Sequence, residues 1–184
     1  MKYSVNWLQQ QIEQGIHQEY LLFWGHTPKQ EGTVDKSCFS QWYPSTFEVD
    51  GVLYKTAEHW MMAKKAELFG DGEAMQKILL AEKPAVAKAI GREVRNFDAA
   101  VWNKQAYQIV VDGSKHKFAS NPALEKFLLY TGNKTIVEAS PSDPIWGIGL
   151  SQDSKDALYP SNWRGTNLLG FALMEARDLL KEPM

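Results

Sequence analysis

Glu58 is the first residue in this sequence whose type and position suggest chemistry. It follows Thr56, a residue type that often caps helix N-termini, so it falls in the first turn of a predicted helix. The helix dipole and the free N–H groups of that turn favour the ionised carboxylate. Beside the large side chains of Trp60, Met61 and Met62, such a carboxylate can activate water or stabilise an oxocarbenium-like sugar. The competing interpretation is an ordinary first-turn acid.

The glycine-rich segment DPIWGIGL, residues 143–150, holds a second group of candidates. Asp143 can act together with Glu58 as a pair of catalytic carboxyl groups, or it can simply form a turn. Trp146 is followed by Gly147, which leaves room beside the indole for a flat ligand. The alternative is a loop that is anchored by one buried indole.

Three arginines and one asparagine complete the candidate set. Arg92 and Arg95 flank a predicted helix end, and Arg164 precedes the final helix. Each guanidinium can bind a phosphate or carboxylate through two hydrogen bonds, although a solvated arginine is the ordinary case. Asn167 lies where the last helix begins, so a capping role competes with ligand contact. These residues are consistent with a pocket for a flat, phosphorylated ligand.

Several common catalytic signatures are absent from the sequence. It contains no GxGxxG, GxxxxGK[ST], HExxH or GxSxG motif. The four histidines are scattered without the spacing of metal ligands, and we expect His59 to be a packed, hydrogen-bonded side chain. Cys38 has no evident basic neighbour that would stabilise a thiolate. The sequence therefore predicts no metal site and no cysteine nucleophile.

Composition indicates one globular domain. The chain has 184 residues, of which 44% are hydrophobic and 23% charged, and this excludes a disordered or collagen-like protein. The net charge of −2 shows no basic surplus of the kind found in nucleic-acid binders. A single cysteine, no signal-peptide pattern over residues 1–20 and no apolar run of about 18 residues predict a cytoplasmic protein outside the membrane.

The periodicity of apolar residues positions these candidates on a mainly helical chain. It predicts a helix over residues 5–20, a short buried strand over 21–24 and a hairpin over 47–54 around Asp50-Gly51. Further helices are predicted to begin after Thr56, Asp71, Lys83, Asp98 and Asn121, with a short strand at 135–138, a long loop at 141–163 and a final helix. We therefore expect a mainly α domain with a small β-hairpin and short strands.

Four segments of the sequence together form a recognisable pattern. They are CFSQWYPSTFEVDGVLYKTAEHWMMAKKA at 38–66, Gly91-Arg92 followed by Trp102, DPIWGIGL at 143–150, and NWRGTNLLGFALMEAR at 162–177. In these segments the chain resembles the YbiA-like proteins, also called the NADAR family. These segments occur in the family's order over most of residues 23–180. The resemblance implies a YbiA-like domain over residues 21–182, with residues 1–20 as an N-terminal helical extension.

The resemblance implies an N-glycosidase. Members of the family hydrolyse the C1–N bond of phosphoribosylaminopyrimidine intermediates of riboflavin biosynthesis, which releases ribose 5-phosphate and the aminopyrimidine. It implies Glu58 and Asp143 as catalytic residues, and Trp146 as the ring that stacks on the base or ribose. It also implies Arg92 and Arg164 as phosphate ligands, with Trp102, Gly147 and Asn167 as further binding residues. No step requires a metal or organic cofactor.

Two other functions stay open. The first is a hydrolase that removes ADP-ribose from guanine, which would make a nucleic acid the substrate despite the acidic charge balance. The second is a module that binds ADP-ribose or a nucleotide without cleaving it. The sequence does not report the oligomeric state.

Overall fold

The computed structural model describes residues 1–181, and over that range the chain is mainly α-helical. Its helices are α1 (Val5–Glu13), α2 (Ala57–Leu68), α3 (Gly72–Leu80), α4 (Pro84–Arg92), α5 (Ala99–Ala119), α6 (Pro122–Tyr130) and α7 (Leu168–Lys181). Its strands are β1 (Tyr20–Phe23), β2 (Phe47–Val49), β3 (Val52–Tyr54) and β4 (Thr135–Glu138). The mainly α fold with small β elements is therefore confirmed. The last residue of the expected domain range 21–182 lies outside the described residues.

Side-chain caps explain why the central helices begin where the sequence predicts. The Thr56 hydroxyl accepts the His59 N–H at 3.4 Å, and Asp71 accepts the Ala74 N–H at 3.2 Å. Asp98 and Asn121 likewise accept two N–H groups each at the starts of α5 and α6. These bonds replace partners that the first helical turn lacks. The local sequence signal is therefore sufficient to start each of these helices.

The N-terminal helix is shorter than its apolar spacing predicts. The prediction over residues 5–20 is wrong beyond Glu13, where α1 ends. Gly15 then adopts a left-handed φ of +77°, and Tyr20 enters β1. A left-handed residue ends a helix, and strand pairing takes the chain away from its axis. Leu8 of α1 is fully buried, so this helix packs against the rest of the molecule.

The four strands form two separate pairs. β2 and β3 are antiparallel and pair Phe47 with Tyr54, which confirms the hairpin predicted around Asp50-Gly51. β1 and β4 are parallel, in a register that pairs Phe23 with Glu138. The two carboxyl ends of this parallel pair therefore lie at the same edge, with Glu138 as the last residue of β4.

The helices pack on β4 of the parallel pair and bring α4 close to α2. α7 packs on β4 and on α5, while α2 packs against α3, α4 and α5. Gly91 of α4 lies directly on the Met62 side chain, where any added Cβ would clash. This close approach holds the last turn of α4 beside α2. None of the helices within residues 1–181 is long and apolar enough to cross a membrane.

The predicted loop over residues 141–163 contains two short 3-10 turns, Lys155–Leu158 and Pro160–Asn162. The Trp163 indole N–H donates to the carbonyl of Ala157 at 2.9 Å and ties the end of the loop to its middle. The loop runs past the end of β4, because the Ile148 N–H donates to the Glu138 carbonyl at 2.9 Å. It therefore delivers the 143–150 segment to the edge where Glu138 lies.

Candidate active site

Glu58 is a buried carboxylic side chain at the second position of α2. Its exposed fraction is 4%, and its backbone N–H donates to the Gln41 carbonyl at 2.9 Å. Thr56 fixes the turn from the other side by capping the helix. The α2 N-terminus thus holds this acid rigidly in a position where the helix dipole favours negative charge.

The surroundings of Glu58 tune its basicity. Burial raises the pKa of Glu58, and so does the negative charge of Asp143. The Lys88 charge, a hydrogen bond with the Trp42 side chain and the Arg92 charge lower it. The net effect is a pKa above the ordinary value. A carboxylate with a raised pKa accepts a proton more readily than an exposed one does, as a general base must.

The cations beside Glu58 come from one face of α4. Lys88 and Arg92 are four residues apart, so they project from the same side of that helix. Lys88 is half-buried, and its Nζ lies 5.8 Å from the centroid of the Trp42 ring. Arg92 is exposed at the helix end. This arrangement gives the site an inner cation near the carboxylates and an outer one that faces solvent.

Trp42 is held by the segment that precedes β2. The buried Lys117 of α5 donates to the carbonyls of Cys38 and Ser40 at 2.6 and 2.8 Å. Burial lowers the pKa of Lys117 to about 8. These two bonds attach the chain just before Trp42 to α5, and so help to fix Trp42 beside Glu58. Cys38 is itself buried, and burial raises the pKa of its thiol to about 12, so it is not a thiolate.

Asp143 shapes the loop that carries Trp146. Its Oδ1 accepts the N–H groups of Ile145 and Trp146 at 2.9 and 2.8 Å, which is the turn geometry typical of aspartate. The half-buried Trp146 side chain packs against the hydrophobic core. The Asp143 charge also raises the pKa of Glu58. Asp143 therefore orients the tryptophan loop and adds negative charge near Glu58.

Gly147 and Asn167 both contact the main chain of Glu138. A Cβ on Gly147 would lie 2.9 Å from the Glu138 carbonyl, so only glycine allows this approach. The Asn167 Oδ1 accepts the Glu138 N–H at 2.9 Å, and its Nδ2 donates to the Ile136 carbonyl at 3.0 Å. Asn167 is fully buried with both ends of its amide engaged. These two residues position the end of β4.

Arg164 lies beside the 143–150 segment, and Trp102 lies beside Lys65 of α2. Arg164 is exposed, and its backbone N–H donates to Ile148, so its side chain leaves from the edge of the 143–150 segment. Trp102 lies 5.5 Å from the Nζ of Lys65, which donates to the Gly91 carbonyl at 2.7 Å. Lys65 is seven residues beyond Glu58, about 10 Å along α2. Trp102 therefore lies near the end of α4 that carries Arg92.

Three residues of this site are missing from the sequence-based set: Glu138, Lys88 and Trp42. A signal existed for two of them. Glu138 ends the predicted strand over residues 135–138, and acids at the carboxyl end of a buried strand are candidates for a site. Lys88 precedes Arg92 by one helical turn and so shares its face. Nothing local connects Trp42 with Glu58, because only the tertiary fold brings them together.

Comparison with known proteins identifies the family to which this chain belongs. The NADAR domain family model matches residues 22–181, so the chain belongs to this family. The N-glycosidase R617 of Acanthamoeba polyphaga mimivirus is 46% identical over 165 residues, which cover 87% of this chain and 95% of that protein.

Two further proteins extend the comparison. The riboflavin biosynthesis protein VVA0006 of Vibrio vulnificus is 29% identical over 143 residues, which cover 78% of this chain and 35% of that longer protein. The NMR structure of the E. coli protein YbiA matches with a TM-score of 0.68 at 26% identity and covers 89% of this chain and 86% of that one. The expected family and fold are confirmed, and the expected enzyme class, a hydrolase of N-glycosyl compounds, agrees with them.

Proposed function

We propose that this chain hydrolyses the C1–N bond of phosphoribosylaminopyrimidine intermediates of riboflavin biosynthesis and releases ribose 5-phosphate and the aminopyrimidine. Membership of the NADAR family and the relative named an N-glycosidase support the bond class. The relative named a riboflavin biosynthesis protein supports the substrate. The observation that carries the proposal is the buried Glu58 at the α2 N-terminus, with Lys88, Arg92 and Trp42 acting on its carboxylate.

The proposed reaction uses Glu58 as its base. As the C1–N bond breaks, positive charge develops on the sugar, and the adjacent carboxylate stabilises it. The same carboxylate takes a proton from the water that adds to C1. Asp143 assists by holding the loop of Trp146, whose ring stacks on the base or the ribose.

The phosphate is bound by the outer cations of the site. Arg92 is exposed at the end of α4, and Arg164 is exposed at the edge of the loop that carries Trp146. A guanidinium binds phosphate through two parallel hydrogen bonds, which fixes the orientation of the sugar relative to Glu58. Trp102, Gly147 and Asn167 act indirectly, by holding α4 and the end of β4.

The test is release of ribose 5-phosphate by the wild type, Glu58→Gln and Glu67→Gln. Glu67 lies on the same helix but is exposed and paired with Lys64 at 2.7 Å, so it is the matched control. We expect Glu58→Gln to lose about 100-fold or more in kcat, as the loss of a positioned base does, and Glu67→Gln to retain wild-type activity. Equal turnover by all three proteins would remove Glu58 from the mechanism.

The same assay separates the other two functions. If the wild type leaves the riboflavin intermediate intact but releases ADP-ribose from ADP-ribosylated guanosine, the substrate proposal is wrong and the bond class is retained. If a calorimetric titration shows one ADP-ribose bound per chain and no product appears from either substrate, the protein is a binding module.

A further inference from the structure

Glu138 is a half-buried acid that has no role in the reaction proposed above. It is the last residue of β4, and its Oε2 is buried with no hydrogen-bond partner among residues 1–181. A buried carboxylate oxygen normally accepts hydrogen bonds, because burying it unpaired in its charged form costs roughly several kcal/mol of free energy. An unpaired oxygen in this position is therefore expected to carry a proton.

The main chain of Glu138 is fixed from three sides. Its N–H is bound by Asn167, its carbonyl accepts the Ile148 N–H, and Gly147 lies against that carbonyl. On β1, the residue paired with it is Phe23, which is fully buried and uncharged. These contacts fix the main chain from which the carboxyl group projects, so the side chain of a proton donor would start from a defined position.

The charged groups that face Glu138 come from three other elements. Burial, the Asp143 charge of the loop and the Glu58 charge of α2 raise the pKa of Glu138, whereas the Lys88 charge of α4 lowers it. The net result is a pKa of about 8. Glu58, in contrast, also has the Trp42 hydrogen bond and the Arg92 charge to stabilise its ionised form. When two neighbouring carboxyl groups compete for one proton, it resides on the group with fewer partners. Glu138 has fewer such partners than Glu58, so we expect Glu138 to hold the proton.

We propose that Glu138 is the general acid of this site and donates the proton of its unpaired carboxyl oxygen to the glycosidic nitrogen. This inference rests on the proposed N-glycosidase reaction. The C1–N bond breaks with its electron pair on nitrogen, the Glu138 proton forms the new N–H bond, and water oxygen forms the new C1–O bond. The water proton goes to Glu58, and its return to Glu138 restores the starting state. An amine leaves as a neutral molecule only if it is protonated, so the acid is needed.

The first test measures protonation without substrate. Carbon-13 NMR of protein labelled at the glutamate carboxyl carbons follows each group with pH, and the signal missing from Glu138→Gln is that of Glu138. We expect a midpoint above about pH 7, compared with about 4.3 for an ordinary glutamate. In Glu58→Gln the midpoint should fall, because a neighbouring negative charge is removed. A midpoint near the ordinary value would overturn the inference.

The second test measures kcat against pH for the wild type, Glu138→Gln and Glu138→Asp, with Glu48→Gln on the exposed face of β2 as the control. The wild-type kcat should fall above about pH 8 as the acid loses its proton. Glu138→Gln should lose about 100-fold or more in kcat and this alkaline fall as well. Glu138→Asp should keep the alkaline fall at reduced kcat, since it retains an acid.

The two proposals fail in different ways. If the wild type releases ribose 5-phosphate and Glu138→Gln has the same kcat and pH profile, Glu138 is not the acid and the proposed function is unaffected. If the wild type releases no ribose 5-phosphate while Glu138 titrates above about pH 7, the proposed function fails although the protonation state is as inferred. The melting temperature of each variant shows whether a loss of kcat reflects unfolding.

Discussion

The Asp143 side chain has two effects in this site: it holds a loop through hydrogen bonds, and its charge changes the pKa of a neighbouring acid. One of its oxygens holds the N–H groups of Ile145 and Trp146, which a neutral amide can also do. Its negative charge raises the pKa of Glu138, which an amide cannot do. The two contributions can therefore be separated by substitution.

Asp143→Asn should preserve the loop and change the pH dependence. Because Asn retains an acceptor oxygen, we expect the melting temperature to stay close to that of the wild type. Removal of the charge should lower the pKa of Glu138, so the alkaline fall of kcat should begin at a lower pH. Asp143→Ala is the comparison, and it should lose roughly 1–2 kcal/mol of stability because two N–H groups lose their acceptor. An unchanged pH profile in Asp143→Asn would contradict this assignment.

At the scale of elements, the site lies where the carboxyl end of β4 meets the N-terminus of α2. β4 carries Glu138, α2 carries Glu58, and α4 carries the two cations that act on Glu58. The loop after β4 returns past this strand and is held against it by Gly147. The distance between β4 and α2 therefore determines how strongly the carboxyl groups of Glu138 and Glu58 interact.

Gly147→Ala tests the close approach of loop and strand. Its Cβ would lie 2.9 Å from the Glu138 carbonyl and 3.0 Å from that of Asp143, so the backbone must move. We expect a loss of about 1–3 kcal/mol in the free energy of unfolding, together with lower activity. Gly72→Ala is the matched control, since nothing lies within 4 Å of the added Cβ at the start of α3. Urea unfolding measures both variants, and equal stability of the two would refute the argument.

At the scale of the whole molecule, the core includes a buried cation. Lys117 is 1% exposed, and it links α5 to the segment that carries Trp42. Burial lowers its pKa to about 8, whereas in the unfolded chain the amine keeps an ordinary pKa of about 10.4. Between these values the unfolded chain holds a proton that the folded protein has released. The contribution of Lys117 to stability therefore rises with pH across this interval.

Lys117→Met removes this dependence. The free energy of unfolding of the wild type, relative to that of the variant, should increase from about pH 8 to about pH 10.4 by an amount on the order of 2–3 kcal/mol. Urea unfolding of both proteins at several pH values measures this difference, in which the titration of the other groups cancels. A difference that is constant with pH would show that Lys117 keeps an ordinary pKa in the fold.

Much of the architecture is encoded locally. Thr56, Asp71, Asp98 and Asn121 mark helix starts because each side chain can replace a missing hydrogen-bond partner within its own turn. The turn at Asp50-Gly51 forms because both residues adopt positive φ, at 52° and 76°, which suits a tight hairpin. These signals depend on neighbours along the chain, so the sequence predicts them without knowledge of the rest.

The position of Glu58 in the first turn of α2 belongs to the same local information, whereas the pairing of Phe23 with Glu138 does not. That contact joins residues more than a hundred positions apart, and no local pattern specifies which distant strand a short apolar run will join. The approach of Lys88 to the Trp42 ring and the burial that raises the pKa of Glu138 are likewise contacts between residues far apart in the sequence. The sequence alone therefore predicts the types of the reacting residues. Their protonation states depend on which distant groups surround them, because burial and neighbouring charge exist only in the folded molecule.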